Sequence, residues 1–265
     1  MRSKYVLRFV ALGYLALLLG IPVALVFINA FQDGVAAAWE AVTTPEAQHA
    51  FYLTFVMVAV AVPLNTIFGV LCALAIVRQR FRGRALLNAL VDLPFAVSPV
   101  VVGLALLLVY GRREGWIGEW LAENGVQIIF SVPGMILATM FVSLPFVARE
   151  VIPVLREIGT EQEQAAATLG ANWRQTFFRV TLPAIRWGVA YGVVLTTARA
   201  LGEFGAVSIV SGKLSGRTET ATLFVENRFQ RFDETGAYAA SVVLALLAFA
   251  TLLAMNLIKP KEAQG

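Results

Sequence analysis

Four long stretches of this sequence, each at least 20 residues, contain no charged residue, and they restrict the fold more than any other feature. They are residues 9–31, 51–77, 129–148 and 237–258. About 20 apolar residues in a helix cross the roughly 30 Å hydrocarbon core of a bilayer, because each residue rises about 1.5 Å. Charged residues make up only 14% of the chain, against about 25% in soluble domains. The composition therefore indicates an integral membrane protein and excludes a soluble enzyme, a secreted disulfide scaffold and a disordered chain.

Six segments are long and apolar enough to be spanning helices. The N-terminal run has 23 residues and follows three basic residues. It is too long for a signal-peptide core of about 7–15 residues, so we expect a retained helix. The pattern predicts an all-α polytopic membrane protein with six transmembrane helices. Their predicted bounds are residues 9–31, 51–77, 86–110, 129–148, 187–211 and 237–258.

The distribution of Lys and Arg predicts the orientation of the chain. Six spans place both termini on one side, and that side carries 14 of the 21 Lys and Arg residues, against six on the other side. Cytoplasmic loops are enriched in Lys and Arg, so we expect both termini in the cytoplasm. The same enrichment accounts for the net charge of +4, which therefore does not indicate nucleic-acid binding. The single cysteine, Cys72, rules out an intrachain disulfide.

The longest cytoplasmic loop, residues 149–186, has an organised sequence. Thr160 with a Glu three residues later predicts a capping box at a helix start. Gly170 follows an Ala-rich turn, as glycine commonly follows a helix end. Residues 172–175 predict a second helix start, and we expect Pro183 to end that helix.

Aromatic residues in this loop suggest a contact surface. Trp173, Phe177 and Phe178 are apolar anchors of the kind found at the centre of protein interfaces. The alternative is that the loop forms amphipathic turns lying on the lipid headgroups. Periodicity alone does not separate the two interpretations.

The order of residues in the loop resembles the EAA signature of the permeases of ATP-binding-cassette importers. That signature is Glu-Ala-Ala, three residues, Gly, nine residues, Ile, one residue and Leu-Pro, and residues 164–183 match its spacing throughout. Gln replaces the leading Glu, and Val180 replaces Ile. The resemblance implies that the loop is the coupling helix, which sits in a groove of a cytoplasmic ATPase. The residues it implies for this contact are Glu163, Gln164, Ala165, Ala166, Gly170, Leu182 and Pro183.

Two further stretches are similar to sulfate permeases of this family. They are residues 92–103, Asp-Leu-Pro-Phe-Ala-Val-Ser-Pro-Val-Val-Val-Gly, and residues 198–207, Ala-Arg-Ala-Leu-Gly-Glu-Phe-Gly-Ala-Val. Related molybdate permeases share the Gly-Glu-Phe-Gly core, so molybdate or tungstate is the alternative to sulfate and thiosulfate. The likeness covers residues 51–256 and implies a type I importer permease bundle. A first helix and external loop in residues 1–50 precede it, and a cytoplasmic tail in residues 257–265 follows.

The resemblance also implies an assembly in the bacterial cytoplasmic membrane. It contains this chain, a second related permease, two ATP-binding-cassette ATPase subunits and a periplasmic or surface-tethered sulfate-binding protein. ATP and magnesium are expected on the ATPase, because this sequence contains no G-x-x-x-x-G-K-[ST] phosphate-binding loop. The sequence also shows no cofactor motif and no Cys/His metal cluster. We therefore expect no cofactor on this chain and no enzyme activity of its own.

Three charged residues lie within the predicted spans. A charge at the bilayer centre costs at least about 2.5–3.5 kcal/mol, so each needs a partner or a function. Arg199 and Glu203 are four residues apart and are expected to pair on one helix face. The pair either only stabilises helix packing, or it lines the translocation path and offers Arg199 to a dianion. Asp92 is expected near the cytoplasmic end of its span, in packing or gating, because a carboxylate repels sulfate.

Hydroxyl groups within the spans are the other candidates for the path. Ser98 lies between two prolines of the third span, and Thr196 and Thr197 precede the charged pair by one turn. Hydroxyls also form hydrogen bonds between helices, and for each residue that role is an equal alternative. Intramembrane carboxylates are compatible with an ion-coupled secondary transporter as well, although the EAA spacing argues against it.

Two other features predict contacts. Gly188 and Gly192 have the small-xxx-small spacing of closely packed membrane helices. The mixed-charge external loop, residues 212–236, either docks the soluble binding protein or is simply solvated.

Overall fold

The computed structural model describes residues 2–113 and 115–258, with the backbone alone described for residues 2–5 and 255–258. No strand occurs in these ranges, and the predicted all-α class is confirmed. The predicted tail lies outside the described residues from residue 259 on. The helices are α1 (Arg2–Leu15), α2 (Ile21–Ala30), α3 (Val35–Thr43), α4 (Pro45–Arg78), α5 (Arg84–Ala96), α6 (Pro99–Tyr110), α7 (Gly118–Glu123), α8 (Val132–Glu157), α9 (Glu161–Thr168), α10 (Trp173–Thr176), α11 (Leu182–Leu201), α12 (Val207–Val210), α13 (Ala221–Gln230) and α14 (Glu234–Ile258).

Four helices are long and apolar enough to cross a membrane. They are Val6–Ala30, Pro45–Arg78, Val132–Glu157 and Glu234–Ala254, and they correspond to the first, second, fourth and sixth predicted spans. Helix α4 has 34 residues and is roughly 51 Å long at 1.5 Å per residue. It therefore extends well beyond the hydrocarbon core. Helix α8 also outruns its predicted span and includes the first nine residues of the predicted loop.

The third predicted span is not one continuous helix. Helices α5 and α6 are separated by Val97 and Ser98 and are bent by 113°. Pro99 has no amide to donate, and it disfavours a helical conformation in the residue before it. Ser98 accordingly has φ −60° and ψ 136°. The bent pair still has the length and hydropathy of a span, as a broken helix or a re-entrant loop.

The fifth predicted span, residues 187–211, is interrupted. Helix α11 begins earlier and ends at Leu201, and after a turn the chain forms only the four-residue helix α12. In that turn, a Cβ on Gly205 would lie 2.9 Å from the Cβ of Pro99, so the interruption allows the chain to fit against α6. The described residues thus contain four spanning helices and one bent pair, and the predicted count of six is not confirmed.

Helix α8 is the centre of the bundle, packed between α4 and α11. A Cβ on Gly69 of α4 would lie 2.7 Å from the Cβ of Val147, and one on Gly192 of α11 would lie 2.7 Å from its Cα. One turn before Gly192, a Cβ on Gly188 would lie 3.0 Å from the carbonyl oxygen of Glu150. The small-xxx-small spacing on α11 is therefore confirmed as a close approach to α8.

Buried apolar residues form two large clusters along α8. One surrounds its first half and includes residues of α4 and α12, and the other surrounds its second half and includes residues of α5 and α11. Asn65 of α4 joins the helices between these clusters. Its amide donates to the hydroxyl of Ser143 at 2.8 Å and to the carbonyl of Met140 at 2.9 Å. Polar contacts of this kind fix the register of helices within a membrane.

We expect Gly192→Ala to destabilise the protein by about 1–3 kcal/mol, the usual cost of forcing extra atoms into a packed interior. The added methyl group would meet the backbone of α8, which cannot rotate away as a flexible side chain can. Gly202→Ala is the matched control, because the nearest atom to a Cβ there is 3.8 Å away. For the control we expect a change within about 0.5 kcal/mol. Thermal unfolding in one detergent compares the two variants, and equal midpoints would contradict tight packing on α8.

Candidate functional site

The chain between α8 and α11 forms a helical hairpin at one end of the bundle. We call this end the loop face and define it by residues 78–84 and 157–182. Within it, α9 is followed by a glycine turn, α10, a π-helical turn over Phe177–Thr181, and α11. The predicted order of helix, glycine turn and second helix start is confirmed.

Backbone and side-chain caps fix the turn between α9 and α10. The amide of Gly170 donates to the carbonyl of Ala167, and the amide of Ala171 donates to that of Ala166. This pairing is a Schellman motif. Gly170 has φ +85°, which glycine adopts without steric cost. A capping box over residues 172–175, with both hydrogen bonds at 2.9 Å, then starts α10.

The capping box predicted at Thr160 is wrong. The Thr160 side chain caps no backbone amide and instead accepts a hydrogen bond from the Gln164 side chain at 3.0 Å. The carboxylate of Glu163 lies 2.9 Å from Nε of Arg78 and accepts a hydrogen bond from the Thr181 hydroxyl at 2.8 Å. A charged partner and a hydroxyl together stabilise a half-buried carboxylate more than one exposed amide does.

Pro183 does not end the second helix, contrary to prediction. Residues 173–201 form one uninterrupted helical run, in which Pro183 lies in the first turn of α11. Proline normally breaks an α-helix, because it has no amide and its ring meets the carbonyl four residues back. Directly before it, the amide of Leu182 donates to the carbonyl of Phe177, five residues back. This shift of the hydrogen-bond register lets the helix continue past the proline.

Arg78, the last residue of α4, ties the loop face to the bundle. Its guanidinium donates to the carbonyls of Leu155 at 3.0 Å and Gly159 at 2.6 Å, and its Nε faces Glu163. Two of the three nitrogens donate hydrogen bonds and the third is in an ion pair, so one side chain connects α4, the end of α8 and α9. In the sequence, Arg78 is only one of many basic residues. Its position at the end of a span was the available signal, but nothing local identified its partners.

The outer surface of the loop face carries apolar side chains that no described residue covers. Leu169 is 88% exposed, Trp173 72% and Phe178 61%, and Ala165 is also exposed. Leu182 differs from these residues, because it packs half-buried against the second apolar cluster. Exposed apolar patches next to polar residues are typical of protein interfaces.

Arg199 and Glu203 form the predicted ion pair, with 2.7 Å between Nη1 and Oε2. The two ends differ in burial, since the Glu203 side chain is 1% exposed and that of Arg199 30%. Oε1 of Glu203 accepts the amide of Ala206 at 2.9 Å, and its carbonyl accepts the Thr222 hydroxyl at 2.8 Å. The carboxylate therefore organises the turn between α11 and α12, while the guanidinium keeps access to its surroundings.

The hydroxyl candidates have different surroundings. Thr196 is buried and donates to the carbonyl of Gly192 at 2.7 Å, and Thr197 donates to that of Val193 at 2.8 Å. Both bonds lie within α11, so these hydroxyls are already satisfied by their own helix. Ser98 is exposed at the break between α5 and α6.

Asp92 pairs with Arg149. The carboxylate of Asp92 on α5 accepts two hydrogen bonds from the guanidinium of Arg149 on α8. A bidentate pair fixes both position and angle, so it holds the first half of the bent pair against the central helix. The packing role expected for Asp92 agrees with this geometry, but its partner could not be read from the sequence.

The external loop of residues 212–236 is folded. It contains α13, and two ion pairs of 2.9 and 3.1 Å join charged residues within it. Glu219, which the sequence did not distinguish from the other acidic residues, is 1% exposed. Its carboxylate accepts a hydrogen bond from the Asn227 amide at 2.6 Å.

Comparison with known proteins places this arrangement in a family. Binding-protein-dependent transport system inner membrane components match residues 65–264. The sulfate transport system permease protein CysW of Synechocystis sp. is 53% identical over 260 residues, which are 98% of this chain and 94% of that protein. The sulfate transport system permease protein CysT of Synechococcus elongatus is 41% identical over 246 residues, which are 93% of this chain and 88% of that protein.

The fold is similar to that of a solved transporter. A chain in the crystal structure of a bacterial alginate ABC transporter, in complex with an alginate pentasaccharide-bound periplasmic protein, gives a TM-score of 0.79 at 17% identity. The match covers 99% of this chain and 95% of that chain, and it shows the fold alone. The family match extends from α4 to the end of α14, so it includes the bent pair, the loop face and the Arg199–Glu203 pair. The chain is a multi-pass membrane transport subunit, not an enzyme, and it belongs to the family of binding-protein-dependent transport system inner membrane components.

Proposed function

We propose that this chain is a permease subunit of an ATP-driven importer that carries sulfate, and thiosulfate with it, into the cell. The observation that carries the proposal is the 53% identity to a sulfate transport permease over 98% of the chain. A second, differently named sulfate permease is also 41% identical. Two such relatives are consistent with a transporter built from two related permeases, of which this chain is one.

The ATPase docks on the outer surface of the loop face. Ala165, Ala166 and the glycine turn at Gly170 let another protein approach α9 closely, and Gln164 presents no charge. Glu163 supports the docking surface without contacting the ATPase, because its ion pair with Arg78 holds α9 against α4. Leu182 and Pro183 lie where the hairpin continues into α11. A displacement of α9 and α10 is thereby passed to α4 through an ion pair and to α11 through an unbroken helix.

The proposed transporter contains further partners, which supply the functions that this chain lacks. Two ATPase subunits hold ATP and magnesium, and this chain holds no cofactor, since its sequence lacks a phosphate-binding loop. A periplasmic or tethered sulfate-binding protein delivers the substrate on the side opposite the loop face. The loop face lies in the cytoplasm, as do both termini, because this side carries 14 of the 21 Lys and Arg residues.

The translocation path passes the bent pair and the turn after α11. Sulfate is a dianion, and a path through low dielectric must replace its water with donors that do not hold it too tightly. Ser98 at the exposed break is a donor of this kind. Arg199 is another, because its ion pair with Glu203 weakens its attraction for a dianion. Thr196 and Thr197 stabilise α11, and Asp92 positions α5 through Arg149.

Vesicle transport tests the proposed function. The chain is co-purified with its ATPase and second permease, reconstituted, and supplied with the cognate binding protein and labelled sulfate. We expect ATP-dependent sulfate uptake that thiosulfate competes strongly and molybdate weakly. Molybdate uptake that excess sulfate fails to compete would instead assign the chain to molybdate transport.

We expect Gly170→Arg to leave the protein inserted but to abolish ATPase co-purification and uptake, because a long cation would replace a turn that the ATPase approaches closely. Gly216→Arg is the matched control. Gly216 also has a positive φ, +69° against +85°, and open space around it, but it lies in the external loop and not in the loop face. The added strain and the added side chain are thus similar in both variants. Equal retention of the ATPase by both would contradict docking at Gly170.

The Arg199–Glu203 pair should behave as a unit. Arg199→Met leaves a buried carboxylate without its cation, and we expect a loss of about 3 kcal/mol, the lower end for a broken buried pair, because Arg199 is 30% exposed. Adding Glu203→Gln keeps an acceptor for the Ala206 amide and should restore the thermal midpoint. We expect uptake by this double variant to stay at least about tenfold low, ~1.4 kcal/mol. Normal uptake would show that the pair serves packing alone.

A further inference from the structure

An open pocket of about 600 Å³ lies next to the loop face, between the start of α5 and the second half of α8. Four arginines and one asparagine line it, together with three apolar residues. The residues that matter here are Arg82, Arg84, Asn88, Arg149, Arg156 and Ile76.

The fold brings these side chains together. Arg149 and Arg156 are two turns apart on α8, and Arg84 and Asn88 are one turn apart on α5, so each pair projects from one helix face. The bidentate contact between Arg149 and Asp92 locks α5 against α8. The arrangement is therefore set by helix packing, which distinguishes it from arginines scattered along a cytoplasmic surface.

The positive charge of this pocket is largely uncompensated. Arg78 nearby provides a contrast, because all three of its guanidinium nitrogens contact carbonyls or a carboxylate. Among the described residues, no carboxylate lies within 4.0 Å of Arg82, Arg84 or Arg156. Arg149 has its one acidic partner, Asp92. Guanidinium groups that line one pocket favour an oxyanion that accepts several of their N–H groups at once.

We propose that this pocket binds the headgroup phosphate of an anionic phospholipid. The proposal rests on the membrane embedding of α4 and α5, not on the transported substrate. The pocket lies where α4 ends and α5 begins, with Ile76 in its wall. Phe81 also lines the pocket and is 42% exposed, which provides an apolar surface for an acyl chain. Basic pockets between membrane helices on the cytoplasmic side, where the orientation under the proposed function puts this pocket, bind such headgroups.

A bound headgroup would bridge α5 and α8 beside the Asp92–Arg149 contact. It would thereby stabilise the first half of the bent pair at the point where the loop face joins the bundle. The same oxyanion chemistry is available from free inorganic phosphate or sulfate in the cytoplasm. The exposed ring of Phe81 favours the lipid, because a free anion gains nothing from an apolar surface.

Native mass spectrometry of the full-length chain, purified with its transporter partners, tests the proposal. The complex is exchanged into equal amounts of phosphatidylglycerol and phosphatidylcholine, and the retained lipids are counted. We expect preferential retention of phosphatidylglycerol. Arg84→Gln and Arg156→Gln should each lower it about fivefold, as expected for ~1 kcal/mol per basic residue at an anionic surface. Arg156→Lys, which keeps the charge without the planar fork, should fall between these variants and the unmodified chain.

Arg8→Gln is the matched control, since it removes one exposed cation from the first helix, outside the pocket. Retention in this control should equal that of the unmodified chain, and an equal loss would overturn the site as a general effect of charge. Inorganic phosphate and sulfate are added separately at millimolar concentration. Displacement of phosphatidylglycerol by either ion would overturn the lipid assignment and show that the pocket binds a free anion. Unchanged retention in Arg84→Gln and Arg156→Gln would overturn the pocket itself.

Discussion

The close packing of α4 and α11 against α8 is the contact on which the rest of this structure depends. Within a bilayer, helices gain no hydrophobic free energy by burying apolar side chains against one another, so van der Waals contact must hold the bundle together. Gly69 and Gly192 make that contact possible by bringing two neighbouring backbones onto Val147. Both large apolar clusters, the bent pair and the loop face are arranged around this central helix.

The loop face is an extension of the same core. Helix α11 runs without interruption from the hairpin into its packing against α8, and Arg78 ties α9 to the ends of α4 and α8. A rigid connection of this kind suits a surface that transmits movement, because force applied to α9 meets packed helices. The apolar outer residues are free to form an interface because the side chains that hold the hairpin, Glu163 and Thr181, point inward to one another.

Charged groups inside the bundle are used to position backbone that departs from regular helix. Asp92 and Arg149 hold α5 beside the proline break, and Glu203 with Arg199 organises the turn that ends α11. In each case the charge is partnered, as the cost of an isolated charge in a bilayer requires. Irregular backbone at membrane depth is tolerated where it is buried in protein or lines a cavity. In the proposed function, these two places offer polar groups to the substrate.

Local sequence patterns were enough to predict the all-α membrane class, four of the spanning helices, the glycine turn of the loop and the pairing of Arg199 with Glu203. These depend on local quantities: the length of an apolar run, the conformational freedom of Gly170 and a spacing of four residues. The close approach at Gly188 and Gly192 was also readable, because small residues one turn apart are a local pattern.

Other features became evident only from the way the helices pack. The partners of Glu163, Asp92 and Arg78 lie far from them in the chain. The 113° bend between α5 and α6 and the continuation of the helix past Pro183 did not follow from the positions of the prolines alone. Glu163 does not form the capping box predicted with Thr160, because Arg78, 85 positions earlier in the chain, is a stronger partner for its carboxylate. Local sequence states what each side chain prefers. Which preference is satisfied depends on the groups that packing brings within a few ångströms, and in this bundle that is decided by how closely α4 and α11 approach α8.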